Sequence, residues 1–159
     1  MCEYCGCQAL TAIEELTREH DHVVNLIGDV RAAVKAGDPA RAAGLACRIA
    51  AVLGPHTEVE ERGLFPALAG DFPEHVTALR DEHRRIEAVL AEARGGDGTP
   101  PDPTWGARLV ETLDVLRDHI LKEQDGVFPA ALATLGTDHW DAIDALRARV
   151  GSGLPTPAA

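Results

Sequence analysis

The chain has 159 residues, 45% of them apolar and 26% charged, the composition of a folded globular domain rather than a disordered segment. Fifteen Lys and Arg against 26 Asp and Glu leave a formal net charge of −11, which argues against a nucleic-acid surface or docking on anionic lipid, since both need clustered cations. No apolar run approaches the roughly 18 residues of a membrane span, and Met1-Cys2-Glu3 lacks the basic and then apolar start of a secretory signal, so the expected compartment is the cytoplasm.

In chain order, the first feature is a cysteine cluster. Cys2, Cys5 and Cys7 crowd the N-terminus instead of being spread as disulfide staples, which suggests a metal-binding or redox tail. Thr11-Ala12-Ile13-Glu14 has the form of a capping box, and Ile13, Leu16, His20, Val23, Val24 and Ile27 follow at helical spacing. Asp38-Pro39 offers an N-cap with proline at the first helical position, opening a second helix to about Gly70. Gly54-Pro55 is expected to kink it just before His56. Phe72-Pro73 opens a third helix carrying Val76, Leu79, His83, Ile86 and Leu90. After the Gly95–Thr104 loop a fourth carries Leu109, Leu113, Leu116, His119 and Ile120. Thr137-Asp138 is expected to cap a short fifth helix to about Val150. The small residues from 151 to 159 read as a frayed tail. The predicted fold is all-α. It is an up-down four-helix bundle over residues 10–136, with a cysteine-rich tail over 1–9, a C-terminal helix over 137–150 and a flexible end over 151–159.

The chain repeats itself at an offset of 63 residues. The segment from Leu53 to Ala67 aligns with that from Leu116 to Ala130, sharing His56/His119, Glu60/Glu123, Gly63/Gly126, Phe65/Phe128 and Pro66/Pro129. At the same offset Leu16, Glu19 and His20 match Leu79, Glu82 and His83. One duplicated two-helix unit, not a solenoid, accounts for this. His20 and His56 lie 18 residues either side of Asp38, so antiparallel helices bring them to one level. His56/Glu60 and His119/Glu123 are i, i+4 neighbours on their helices. Burying four imidazoles and two carboxylates without partners would be very costly, and a metal removes that cost. Imidazole with carboxylate suits iron, zinc or copper. Two ions fit the count, with His20 and His56 on one, His83 and His119 on the other, and Glu60 and Glu123 spanning both. Positions left open on the metals would admit O2, NO, peroxide or water.

The order His, His-x-x-x-Glu, His, His-x-x-x-Glu, with Phe-Pro after each pair, resembles the hemerythrin-like HHE cation-binding family over about Leu10 to Leu135. The resemblance implies a four-helix bundle with a carboxylate-bridged di-iron centre ligated by His20, His56, Glu60, His83, His119 and Glu123. Oxygen-carrying hemerythrins have a further ligand histidine where this chain has Glu87, and their final aspartate falls at Gln124. The pattern is thus closer to the subgroup that includes iron-centre repair proteins. The implied function is binding of O2, NO or peroxide for stress response, detoxification or iron handling. A redox or iron-accepting protein would be its partner, and peroxide- or NO-consuming oxidoreductase activity is the enzymatic form of that reading. The rival readings are an oxygen or iron sensor without turnover and a structural zinc bundle.

Other candidates receive simpler readings. Glu87 is i+4 from His83 and is weighed as a seventh ligand against solvated surface, with surface favoured. Glu58 and Glu61 lie off the His56 face and read as solvated. Glu19 and Glu82 are weighed as hydrogen-bond acceptors for imidazole against exposed charges, with exposed charges favoured. His22, His75 and His139 read as surface groups, and Cys47 as a small core residue. Phe65-Pro66 and Phe128-Pro129 are expected to close the lower core and end helical turns.

Overall fold

The computed structural model describes residues 6–94 and 102–157, and within these it contains helices and no strand. Cys2 and Cys5, and most of the predicted Gly95–Thr104 loop, lie outside the described residues. The elements are α1 (Cys7–Lys35), α2 (Pro39–Val59), α3 (Phe65–Leu68), α4 (Pro73–Ala91), α5 (Trp105–Lys122), α6 (Phe128–Thr134) and α7 (Thr137–Val150). Two π-helical turns, Glu60–Leu64 and Glu123–Val127, join α2 to α3 and α5 to α6. Each half is therefore one long helix, then a second that is interrupted once and continues. Helix α1 packs on α2, α2 on α4, α4 on α5 and α5 back on α1, closing a four-helix ring, and α7 lies against α1 and α2. Among the described residues, no helix is long and apolar enough to cross a membrane.

Local chemistry explains most boundaries. Asp38 caps α2 by accepting from the Arg41 amide at 3.0 Å, with Pro39 at the first helical position. Two expected caps are corrected. Helix α1 starts four residues before Thr11, at Cys7 after Gly6 with φ +66°, and the Thr11 hydroxyl bonds back to the Cys7 carbonyl at 2.9 Å instead of capping. Helix α7 is preceded by extended Gly136, with no side-chain cap from Thr137. Helix α2 runs through Pro55, and the break comes later, at Glu60–Leu64. Pro66 and Pro129 provide the reason: each lacks an N–H and its ring would clash with the carbonyl four residues back. The turn before each proline widens, so that the Phe65 amide bonds to the Glu60 carbonyl and the Phe128 amide to that of Glu123, five residues apart.

The core is split in two. The upper cluster includes Val23, Ile27, Ile49, Leu53, Ile86, Leu109, Leu113, Leu116 and Ile120, and the lower one Leu16, Val59, Leu64, Phe65, Leu79 and Phe128. Helices α1, α2 and α4 each pass from one cluster to the other, α5 leaves the upper cluster for α6 in the lower one, and the ligand candidates sit at these crossings. The fold thus closes a polar layer between two apolar ones. Within the expected flexible end, residues 151–154 lie against the bundle: Leu154 packs on the upper cluster, and a Cβ on Gly153 would lie 2.1 Å from the Ala51 carbonyl oxygen. Cys47 is half-buried at the rim rather than in the core.

Leu109 is fully buried in the upper cluster. Leu109→Ala is expected to destabilise the protein by about 2–5 kcal/mol in denaturant titrations; a loss under about 1 kcal/mol would contradict the packing described.

Candidate metal centre

His20 on α1, His56 at the end of α2, His83 on α4 and His119 at the end of α5 are all buried, and Glu60 and Glu123 have no exposed surface. The sequence puts these six residues on four helices, and the fold brings them together. Ring centroids lie 4.6 Å apart for His20 and His56 and 4.5 Å apart for His83 and His119. Glu60 faces both pairs: its Oε1 is 2.9 Å from His56 Nε2 and its Oε2 is 3.3 Å from His83 Nε2. Glu123 does the same with one oxygen, 3.4 Å from His20 Nε2 and 3.0 Å from His119 Nε2. Two compact donor groups result, His20/His56/Glu60/Glu123 and His83/His119/Glu60/Glu123, each with its donor atoms within 4.8 Å of one another.

The outer nitrogen of every imidazole is fixed. His56 Nδ1 donates to Glu19 at 2.7 Å, and His119 Nδ1 to Glu82 at 2.7 Å. His83 Nδ1 donates to Glu61 at 2.9 Å, and His20 Nδ1 to the Gln124 side-chain oxygen at 3.2 Å. A carboxylate can only accept, so the Nδ1 facing it carries the proton and the neutral ring directs its Nε2 lone pair inward. Phe128 stacks on His20 and Phe65 on His83, with ring planes within 9° and 13°.

These contacts overturn three readings. Glu19 is 1% exposed, and Glu82 is mostly covered, so neither is a solvated charge. Glu61 is off the His56 face, as expected, but it serves His83 on another helix. The repeat held the missed signal: Glu19/Glu82, Glu61/Gln124 and Phe65/Phe128 correspond at the 63-residue offset. By contrast Glu58 is exposed and paired with Arg62, and Glu87 is exposed at the edge of the site and belongs to neither donor group. His75 and His139 are exposed and His22 is half-buried.

The inner atoms fit a cation. His20 Nε2, His119 Nε2 and all four carboxylate oxygens of Glu60 and Glu123 are buried without a hydrogen bond. Some approach closely, as His56 Nε2 does Glu60, but the groups converge on shared points instead of aligning as donor and acceptor. Two donors each about 2 Å from one ion stand about 3 Å apart, and the nearest His–Glu donor pairs here lie 2.9–4.0 Å apart.

Without an ion, protons take its place. Burial disfavours the charged form of His56, but Glu60 and Glu19 outweigh it and raise the pKa to about 10. His119 rises to about 9, burial being overcome by Glu123. Burial pushes Glu60 up, and His56 and His83 more than reverse it, holding it well below its usual value of 4.5. A histidine raised on folding adds stability that is complete below its unfolded value of 6.5 and lost as pH climbs through about 10. The Glu60 contribution is present above 4.5 and lost in acid. The melting temperature of metal-free protein is therefore expected to fall between pH 6.5 and pH 10. An equal or higher value at the alkaline end would contradict this.

Next to the imidazoles lies a cavity of about 10 Å³, walled by Leu53, Ile86, Leu116 and Ile120. It shares Leu53 and Glu87 with a surface pocket of about 230 Å³ that Gly54 and Arg94 also line.

The family model described as "Hemerythrin HHE cation binding domain" matches residues 11–131. No curated protein and no solved structure matches the chain.

Proposed function

The chain belongs to the hemerythrin HHE cation-binding domain family, and from that premise we propose that it is a non-haem di-iron protein. It binds O2, NO or peroxide at the four-His, two-Glu centre and serves stress response, detoxification or iron handling. The observation that carries this reading is the sharing of both glutamates between two histidine pairs, with all four of their oxygens buried and unbonded. That arrangement favours two carboxylate-bridged ions over two separate sites. A mixed nitrogen and oxygen set with shared carboxylates suits iron better than structural zinc, which takes closed tetrahedral sites.

His20, His56, Glu60 and Glu123 would hold one ion, and His83, His119, Glu60 and Glu123 the other. Bound iron supplies redox chemistry and open coordination positions for a small ligand. The chain's own residues do the rest. Glu19, Glu82, Glu61 and Gln124 orient the imidazoles, and the apolar clusters keep water out. The cavity beside the histidines is close to the size of one water molecule, which supports a diatomic or similarly small ligand. Its outer edge at Leu53 and Glu87 is the route that such a ligand takes from the surface pocket. The reading places the protein in the cytoplasm, with a redox or iron-accepting protein as partner.

Metal analysis and visible spectra test this on protein purified without added metal, exposed to air, then reduced under NO. About two irons per chain, with a charge-transfer band that changes on reduction and on NO addition, are expected. Colourless protein that cannot take up ferrous iron anaerobically would sink the reading. Peroxide and NO consumption assays then separate an oxidoreductase from a sensor. Because each glutamate belongs to both groups, Glu60→Ala is expected to lose both ions, whereas His20→Ala retains about one. Retention of a full equivalent of iron by Glu60→Ala would contradict the bridging role.

A further inference from the structure

The two halves of the centre are matched at the ligands and at the groups behind them, but not one step further out. Behind His119, Glu82 is held by Lys122 at 2.5 Å, a cation from its own repeat. At the 63-residue offset Lys122 corresponds to Val59, which is buried in the lower cluster and carries no charge. The first half therefore has no cation at this position for Glu19. Arg147 of α7 supplies it, with Nη1 2.7 Å from Glu19 Oε1 and Nη2 3.0 Å from Oε2. The Ser152 hydroxyl adds a third bond, to Glu19 Oε1 at 2.9 Å. Both donors lie beyond residue 131, where the family match ends.

The segment that carries these donors is anchored on both sides of His56. Toward the π-helical turn, Ile143 and Leu146 press on Gly63, where a Cβ would lie 3.2 Å from Ile143 Cγ1. Toward the upper cluster, Gly153 sits against the backbone of Ala51 and Val52. Gly151, at φ +71°, turns the chain between these contacts. Its amide closes α7 on the Arg147 carbonyl at 2.8 Å, and its own carbonyl accepts from Arg147 Nη1 at 3.0 Å. A two-pronged guanidinium on a buried carboxylate fixes its orientation more tightly than a single ammonium does. Arg147 is 13% exposed and Lys122 56%, so the first half is held in a dry setting and the second in a wet one.

We propose that Arg147 and Ser152 are positioning residues that act through Glu19 on His56, so that the C-terminal segment sets the metal affinity of the His20–His56 position separately from the His83–His119 position. The proposal rests on the two-ion reading above. It makes the two metal positions unequal by construction, one of them answering to a segment outside the duplicated unit.

Anaerobic Fe(II) titration of full-length, metal-free protein tests it, comparing wild type with Arg147→Met, Arg147→Lys and Gly153→Ala. Gly153→Ala touches neither the ligands nor Glu19, but its Cβ would meet the Ala51 carbonyl oxygen at 2.1 Å and lift the tail. Arg147→Met and Gly153→Ala are each expected to weaken one of two ions about tenfold or more and leave the other within about twofold, with Arg147→Lys recovering part of the loss. In a His119→Ala background, Arg147→Met weakens the remaining ion; in a His20→Ala background it does not. Equal weakening of both ions, no weakening, or an effect that persists in the His20→Ala background would overturn the proposal while leaving the di-iron reading intact. A wild type that binds no iron would overturn both.

Discussion

Six polar side chains are closed between two apolar clusters, with the inner nitrogens of His20 and His119 and all four oxygens of Glu60 and Glu123 unbonded, and much of this fold can be understood as the means of tolerating that. A buried carboxylate without a partner is too costly to keep unless something charged meets it. Protons on the histidines do so partially, at the expense of a site whose stability depends on pH. A cation between the two histidine pairs would do so fully, and all four oxygens of Glu60 and Glu123 are buried there without a hydrogen bond. The apolar clusters on either side are equally part of the site. They exclude water, which strengthens the attraction between the ligand set and a cation, and they limit the neighbouring cavity to a very small molecule.

Holding such a layer requires each imidazole to present one nitrogen and no other. The chain achieves this by bonding every outer nitrogen to a glutamate or glutamine, and it does so twice through one duplicated unit. Glu19 and Glu82 serve the histidines of their own halves, and Glu61 and Gln124 serve those of the opposite half. The stacked phenylalanines follow the same crossing pattern. The π-helical turns after the ligand-bearing helices belong to this design. They start at Glu60 and Glu123, are forced by the prolines that follow and place Phe65 and Phe128 under histidines of the other half.

The bundle and the six inward residues were legible in the sequence because they obey helical spacing and recur at a fixed offset. What lay around them was harder to read. Glu61 reads as solvated from its own helix because it lies off the His56 face, and its partner His83 is on α4. Glu19 and Glu82 could not be told from surface charges by spacing, since an i−1 neighbour of a ligand points away from it on the same helix and toward the ring of another. The π-helical turns break the 3.6-residue period on which such readings depend, although Gly-x-Phe-Pro in both halves marks where. The C-terminal residues looked frayed because small residues carry no hydrophobic signal, yet it is the missing side chain of Gly153 that lets the tail lie on α2.

The two halves are therefore alike in the six inward residues and unlike further out, where Arg147 of α7 holds Glu19 and Lys122 holds Glu82. Anomalous diffraction at the iron edge, from crystals of protein purified from iron-replete cells, tests the central claim most directly. The account predicts two peaks, one beside His20 and His56 and one beside His83 and His119, with the Glu60 and Glu123 carboxylates between them. A single peak, peaks away from these carboxylates, or none at the iron edge with signal at the zinc edge would contradict it.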